Sequence, residues 1–156
     1  MKTDMVKLVT FQLGDDLFAA DVFSVERVLR YSAPSSVPDV PPWIMGVLEH
    51  RDKVIPVVDM RRRVELPPLE ATPDTRILIY AAKDGCIAAI VDAVHEVASV
   101  PSTAVSPPPA LFRGLSARFL RGIVRREGRL IIYLDVAALL TTVERLTLAL
   151  PTPNDG

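Results

Sequence analysis

Two aspartates at matching positions, Asp59 and Asp135, are the acidic residues best placed for catalysis, because each follows an apolar, strand-like run. A pair of carboxylates can perform general acid and base catalysis. Each carboxylate can also cap the helical turn that follows it, by accepting hydrogen bonds from free backbone N–H groups. We favour capping as the more common role of an aspartate at this position. The sequence also contains no glycine-rich phosphate loop and no Gly-x-Ser-x-Gly motif.

The two histidines and the single cysteine predict neither a metal site nor a redox site. His50 and His95 have no His, Cys or Glu at the spacing of a metal site. Cys86 lies in the apolar run 86–91, which predicts a small core residue rather than a reactive thiol. We therefore expect no catalytic residue, no cofactor and no metal in this protein.

Arginines are concentrated at the ends of predicted strands. Three follow one strand at 61–63, and further arginines crowd the second half at positions 113, 118, 121, 125, 126 and 129. A solvated basic face would explain them. An anchor for a protein partner would also explain them, because arginine combines forked donors with a stacking plane. A nucleic-acid interface is a third interpretation, although few aromatic residues are interleaved with the arginines.

Charge and hydropathy narrow the function class further. The net charge of −1 provides no general attraction for phosphate backbones, which argues against nonspecific binding of nucleic acid. The segment 1–4 carries no signal pattern, and no apolar run approaches the roughly 20 residues that span a bilayer. We therefore expect a cytoplasmic protein without direct membrane insertion.

The elements that would position these residues occur twice. The block 15–20 with its following valines recurs 69 positions later, at 84–89. The block from Gly46 to Asp59 recurs 76 positions later, from Gly122 to Asp135. The sequence therefore predicts a duplicated β-rich unit whose second copy has a loop insertion between its two blocks.

Alternating apolar residues and turn residues predict four hairpins. Their strands are Val6 to Leu13 with Leu17 to Asp21, Gly46 to His50 with Val54 to Val58, Ile77 to Ala82 with Cys86 to Val91, and Arg121 to Arg125 with Arg129 to Leu134. The spacing of apolar residues between Val22 and Leu29 predicts one helical turn that enters a strand. Pro56 predicts a strand edge or a bulge, because proline cannot donate a ladder hydrogen bond.

The carboxyl end predicts a helix over 135–146, where Ala137, Leu139 and Leu140 propagate a helix that Asp135 can cap. Its apolar stripe would cover an open end of a small barrel. Residues 147–156 are predicted to be a disordered tail, because they offer little to pack.

Several segments together resemble the CheW family of bacterial chemotaxis coupling proteins. They run from the hairpin Phe11 to Val22, through Val25-Glu26-Arg27-Val28, to Val54-Ile55-Pro56-Val57-Val58-Asp59-Met60-Arg61, and they continue in Leu120 to Val124 and Leu130 to Asp135. The resemblance covers roughly residues 6–146. Its most specific part is the segment Ile55 to Arg61.

The resemblance implies an all-β fold with a C-terminal helix, built from two tandem pseudo-symmetric, SH3-like, five-stranded β-barrels. One CheW-like domain would cover 6–146. We expect subdomain 1 to comprise about 6–68 with the helix 135–146, and subdomain 2 to comprise about 74–134.

The resemblance also implies a non-catalytic scaffold or adaptor in bacterial chemotaxis-type signal transduction, recruited to membrane receptor arrays. It would couple the cytoplasmic hairpin tip of a chemoreceptor, a methyl-accepting chemotaxis protein, to the regulatory domain of the histidine kinase CheA, and it could assemble with itself into rings. The receptor-binding positions that carry over are Val25, Arg27, Arg51, Asp59 and Arg61. The alternatives are a nucleic-acid-binding double β-barrel and, as a third class, a small-molecule enzyme or sensor without a sequence signature.

The sequence departs from the family pattern at two positions near this expected surface. Asp52 stands where most members have glycine, and Arg27 stands where glutamate is common. Both substitutions change charge, so we expect a dedicated or alternative array whose receptors are matched by charge complementarity.

Overall fold

The computed structural model describes residues 4–82, 85–107 and 119–136. In chain order, the strands are β1 (Met5–Leu13), β2 (Asp16–Asp21), β3 (Val25–Arg30), β4 (Ile44–His50), β5 (Lys53–Asp59), β6 (Arg76–Ala82), β7 (Gly85–Val91), β8 (Ala93–Pro101), β9 (Val105–Ser106), β10 (Leu120–Arg126) and β11 (Arg129–Leu134). A short helix, α1 (Met60–Arg63), follows β5, and 3-10 turns span Val22–Ser24 and Ser102–Ala104. The predicted helix 135–146, apart from its first residues, and the predicted tail 147–156 lie outside the described residues.

The strands form two sheets with the same internal order. One sheet has the order β8-β1-β2-β11-β10-β9, and the other has the order β3-β6-β7-β5-β4. The N-terminal hairpin β1–β2 in the first sheet corresponds to β6–β7 in the second. Each sheet contains one parallel pair, and the pairs occupy equivalent positions, Tyr133 opposite Ala19 in one sheet and Val57 opposite Ala88 in the other. The predicted duplication is therefore present in the topology.

Strand pairing does not follow the predicted division of the chain near residue 70. The hairpin β1–β2 pairs with β8 and β11 of the second half, and β6–β7 pairs with β3 and β5 of the first half. We call the unit of β3 to β7 the central barrel and the unit of β1, β2 and β8 to β11 the terminal barrel. The apolar alternation permits this exchange, because equivalent hairpins carry the same alternation and either one satisfies the period of the sheet.

Two equivalent glycines allow a second stretch of chain to approach the edge strand of each barrel. Ser35 exchanges two backbone hydrogen bonds with Val47, of 2.9 and 2.8 Å. A Cβ atom on Gly46, which has φ +139°, would lie 1.9 Å from the Ser35 carbonyl oxygen. A Cβ atom on Gly122 would lie 2.5 Å from the carbonyl oxygen of Ser106 in β9. The repeated glycine of the sequence therefore marks the same backbone contact in both barrels.

Three apolar clusters stabilise this arrangement. The largest contains residues from both sheets, including Phe11, Leu78 and Met60, which are inaccessible to solvent. A smaller cluster around Leu8 lies in the terminal barrel, and one around Ile77 lies in the central barrel. Because the largest cluster combines the two sheets, burial of apolar area stabilises the pair of barrels as one unit.

The predicted strands agree with the observed ones to within two residues at their ends. The predicted helical turn is the 3-10 turn Val22–Ser24, and it enters β3 as expected. Pro56 pairs with Val47 of β4, one residue before the pairing of β5 with β7 begins. The strand has only one paired neighbour at this point, which agrees with the predicted edge position.

Candidate partner-binding surface

The five predicted receptor-binding residues all lie in the central barrel, on β3, the β4–β5 turn and the junction of β5 with α1. Val25 begins β3 and is half-buried against the largest apolar cluster. A register shift between Val25 and Arg27 leaves Glu26 as the extra residue of a bulge, and Arg27 is exposed. β3 is an edge strand of its sheet. A bulge redirects the side chains around it, and here Glu26 and Arg27 are both exposed to solvent.

An ion pair between Arg51 and Glu26 links the β4–β5 turn to β3. Arg51 and Asp52 both have left-handed backbones, with φ of 52° and 63°. The Arg51 Nη1 atom lies 3.4 Å from a carboxylate oxygen of Glu26, and the Arg51 side chain is 64% exposed. Such an exposed pair contributes little to stability. It places Arg51 beside β3, so Val25, Arg27 and Arg51 lie close together. Aspartate tolerates this left-handed conformation better than most residues, so Asp52 can stand where most family members have glycine.

Asp59 and Arg61, in contrast, have partners inside the protein. The Asp59 carboxylate caps α1 by accepting a 3.0 Å hydrogen bond from the Arg61 backbone N–H. The Arg61 side chain is only 13% exposed, and its Nη1 atom lies 2.5 Å from the Asp92 carboxylate. The same carboxylate oxygen accepts a 2.7 Å hydrogen bond from the Gly14 N–H, and Arg61 Nε donates to the Pro67 carbonyl at 2.8 Å. Arg61 therefore joins α1 to the turns that follow β1 and β7.

The capping interpretation of Asp59 is confirmed by this geometry. For Asp135, the backbone N–H donates to the Phe119 carbonyl at 2.7 Å, as the Asp59 N–H donates to Trp43. Its carboxylate lies 3.4 Å from Arg121. The helix that Asp135 is predicted to cap lies outside the described residues beyond Val136. Each aspartate is thus paired with an arginine, Asp59 with Arg62 at 3.3 Å and Asp135 with Arg121.

The structure exposes apolar side chains on β3 and β5 that were not predicted. Val28 on β3 and Val54 on β5 are 42% and 64% exposed. Their equivalents in the terminal barrel, Val97 and Leu130, are also exposed. The repeat offsets relate Val28 to Val97 and Val54 to Leu130, so the sequence shows that these positions are equivalent. Only the structure shows that their side chains face outward.

Two of the clustered arginines stack on aromatic rings. The Arg63 guanidinium lies 5.3 Å from the centre of the Trp43 ring and 5.1 Å from that of Phe119. Arg121 lies 5.6 Å from the Tyr133 ring and donates to its hydroxyl at 3.2 Å. These arginines cover aromatic surface within the fold, which reduces the basic area that could face a partner.

Cys86 is half-buried rather than fully in the core. It packs on the apolar cluster of the central barrel, and its Sγ atom donates to the Glu26 carboxylate at 3.1 Å. Burial and then the hydrogen bond to Glu26 raise the pKa of the Cys86 thiol, against smaller opposing effects of Lys53 and Arg51. The raised pKa disfavours the nucleophilic thiolate.

A change at Glu26 should therefore alter the reactivity of Cys86. We expect Glu26→Gln to lower the pKa of the thiol and to make alkylation by iodoacetamide at pH 8 faster than in the unchanged protein, because a carboxylate beside the thiol is lost. The rate can be measured by mass spectrometry. Glu49→Gln, at an exposed position of β4, is the matched control and should leave the rate unchanged. Equal rates in both variants would contradict a role for Glu26.

The described part of the chain offers no group of three or more His, Cys, Asp or Glu side chains that could hold a metal ion. Within the same part, no helix is long and apolar enough to cross a membrane.

Comparisons with known proteins agree with the resemblance found in the sequence. The model of the CheW-like domain matches residues 7–144. The chemotaxis protein CheW of Bacillus subtilis (strain 168) is 33% identical over 134 residues, which is 86% of each chain. Protein FrzA of Myxococcus xanthus is 29% identical and covers 89% of this chain and 88% of its own. The crystal structure of the scaffolding protein TtCheW from Thermoanaerobacter tengcongensis superposes with a TM-score of 0.81 at 30% identity, over 87% of this chain and 92% of the other.

Proposed function

Because the chain belongs to the CheW-like domain family, we propose that it couples a chemoreceptor to the histidine kinase CheA, with the receptor bound at β3 and the β4–β5 turn of the central barrel. The family is one of non-catalytic scaffold proteins, so this protein is a chemotaxis-type scaffold rather than an enzyme. Coupling requires separate surfaces for the receptor hairpin tip and for the CheA regulatory domain, and it would recruit the protein to membrane receptor arrays.

This proposal depends on the proximity of Val25, Arg27 and Arg51. The ion pair between Arg51 and Glu26 places Arg51 beside the segment 25–27 of β3. A receptor tip is a helical hairpin, whose apolar stripe can pack against Val25. Arg27 and Arg51 beside this residue would fix the orientation of the hairpin, as charged residues at an interface rim do.

Asp59 and Arg61 have a different role in this proposal. Both side chains are bonded within the fold, so they hold the α1 junction at the end of β5 that lies away from the β4–β5 turn. The structural contacts make Arg61 unsuitable as the only test of receptor binding, because its removal would also affect folding.

The charges of Arg27 and Asp52 would select the receptor. Arg27 is exposed on β3, and Asp52 is exposed in the turn beside Arg51. We propose that this pair matches the protein to receptors of a dedicated or alternative array, because charge complementarity discriminates among related partners.

Charge reversal on β3 provides the test. Arg27→Glu should weaken binding of a receptor hairpin fragment from the same genome by about tenfold, since a rim charge would become repulsive. Binding of the CheA regulatory domain should change less than about twofold. Both affinities can be measured by isothermal titration calorimetry.

Arg125→Glu is the matched control for this experiment, because Arg125 is also exposed on a strand but belongs to β10 of the terminal barrel. Unchanged receptor affinity in Arg27→Glu would contradict the placement of the receptor surface. Failure of the unchanged protein to bind both the receptor fragment and CheA would contradict the coupling function.

A further inference from the structure

Two arginines occupy directly opposite positions on neighbouring strands, Arg30 on β3 and Arg76 on β6. Like charges that face each other across a sheet destabilise the strand pair. Neither arginine forms an ion pair with any other residue in the described part of the chain. The fold therefore accepts a local repulsion that it does not neutralise itself.

The surroundings of the pair orient the Arg76 guanidinium and leave the Arg30 guanidinium free to move. Arg76 Nη1 donates to the Pro73 carbonyl at 2.8 Å and to the Thr75 carbonyl at 2.9 Å, and its other nitrogen atoms form no hydrogen bond within the described residues. Arg30 is exposed. The two arginines line one open concavity of about 460 Å³ together with Tyr31, Thr72, Pro73 and Thr75. None of these lining residues is acidic.

An apolar residue lies on the same face as the arginine pair. Side chains alternate along a strand, so Val28 and Arg30 project from one face of β3. Val28 is 42% exposed beside Leu78, its partner on β6. The surface thus combines two arginines with one exposed aliphatic side chain, and it faces away from Arg27, which lies an odd number of residues from Arg30.

We propose that Arg30 and Arg76 form a carboxylate-binding site for an acidic segment of a protein partner. Aspartate or glutamate side chains of that segment would bridge the two guanidinium groups, and an apolar neighbour would pack on Val28. Arginine binds carboxylates through two parallel hydrogen bonds, which suits a pair of guanidinium groups on adjacent strands. The exposed Val28 beside the arginines favours a protein segment with an apolar side chain over a phosphate backbone, which has no apolar side chain to pack there.

A titration of the full chain labelled with ¹⁵N tests this site. The probe is the capped peptide Glu-Leu-Glu-Glu-Leu, with its glutamine counterpart and inorganic phosphate as separate arms. We expect the acidic peptide to shift the side-chain Nε–Hε signals of Arg30 and Arg76 in a saturable manner. Arg30→Gln and Arg76→Gln should each weaken peptide binding by about tenfold, because one guanidinium of the bridge is lost. Arg125→Gln is the matched control and should change the affinity by less than about twofold.

Three results would overturn the proposal. The first is a shift that does not saturate or that affects all arginines equally, which would indicate nonspecific charge attraction. The second is binding of the glutamine peptide as tightly as the acidic one. The third is binding of inorganic phosphate as tightly as the acidic peptide, which would indicate a phosphate site.

The repulsion itself has a separate readout. Without peptide, Arg30→Gln should raise the midpoint of thermal unfolding, because it removes one of two facing positive charges and no hydrogen bond of the described structure. A lower midpoint would show that the arginine pair stabilises the fold and would overturn the premise that it awaits an anionic partner.

Discussion

Gly46→Ala should lower the free energy of unfolding by about 3 kcal/mol or more. Two costs combine at this residue. Its φ of +139° is a conformation that L side chains rarely adopt, and an added Cβ atom would lie 1.9 Å from the Ser35 carbonyl oxygen. Relief of that overlap would break the two hydrogen bonds between Ser35 and Val47 and would move the chain away from β4. Urea denaturation of the purified protein measures the effect.

Gly128→Ala is the matched control. Gly128 also has a positive φ, of +76°, but no atom of a non-adjacent described residue lies within 4 Å of the position of its added Cβ. Its substitution should therefore cost only about 1 kcal/mol, from backbone strain. If the two variants lost equal stability, the close approach of Ser35 to Gly46 would contribute nothing beyond the backbone conformation.

Removal of the Arg61 side chain should cost about 2 kcal/mol of unfolding free energy. Among the described residues, the substitution Arg61→Ala leaves the Asp92 carboxylate, which is 22% exposed, with the hydrogen bond from Gly14 alone. It also removes the bond to the Pro67 carbonyl. The value is below that of a fully buried ion pair, because water still reaches Asp92. Urea denaturation at pH 7 measures the loss.

Arg51→Ala is the control for this substitution, because its ion pair with Glu26 is exposed and should contribute less than about 0.5 kcal/mol. An equal loss of stability in both variants would contradict the structural role of Arg61. The comparison also bears on partner binding. If Arg61→Ala weakens receptor binding, the loss of affinity has to be corrected for the fraction of unfolded protein. A loss of affinity in Arg27→Glu reports the binding surface itself.

Local structure was readable from the sequence because it depends on neighbouring residues. Turn residues between short apolar runs predicted the four hairpins, and the valine spacing predicted the 3-10 turn before β3. The two collinear repeats predicted a duplicated unit, and the resemblance to one family was confirmed by the match over residues 7–144. Capping by Asp59 also followed from local chemistry, since the acceptor and its donor are two residues apart.

Contacts between distant residues could not be read in the same way. The exchange of hairpins between the two halves was not predicted, because an alternating apolar pattern specifies which face of a strand is buried and not which strand lies beside it. The same reason applies to Arg61. Its sequence position suggested an external partner, but folding brings Asp92, 31 residues away, within 2.5 Å of its guanidinium. Local pattern thus determined the four hairpins and the family, but it did not predict β8 and β9. Packing between distant strands determined which charged side chains remain available to a partner.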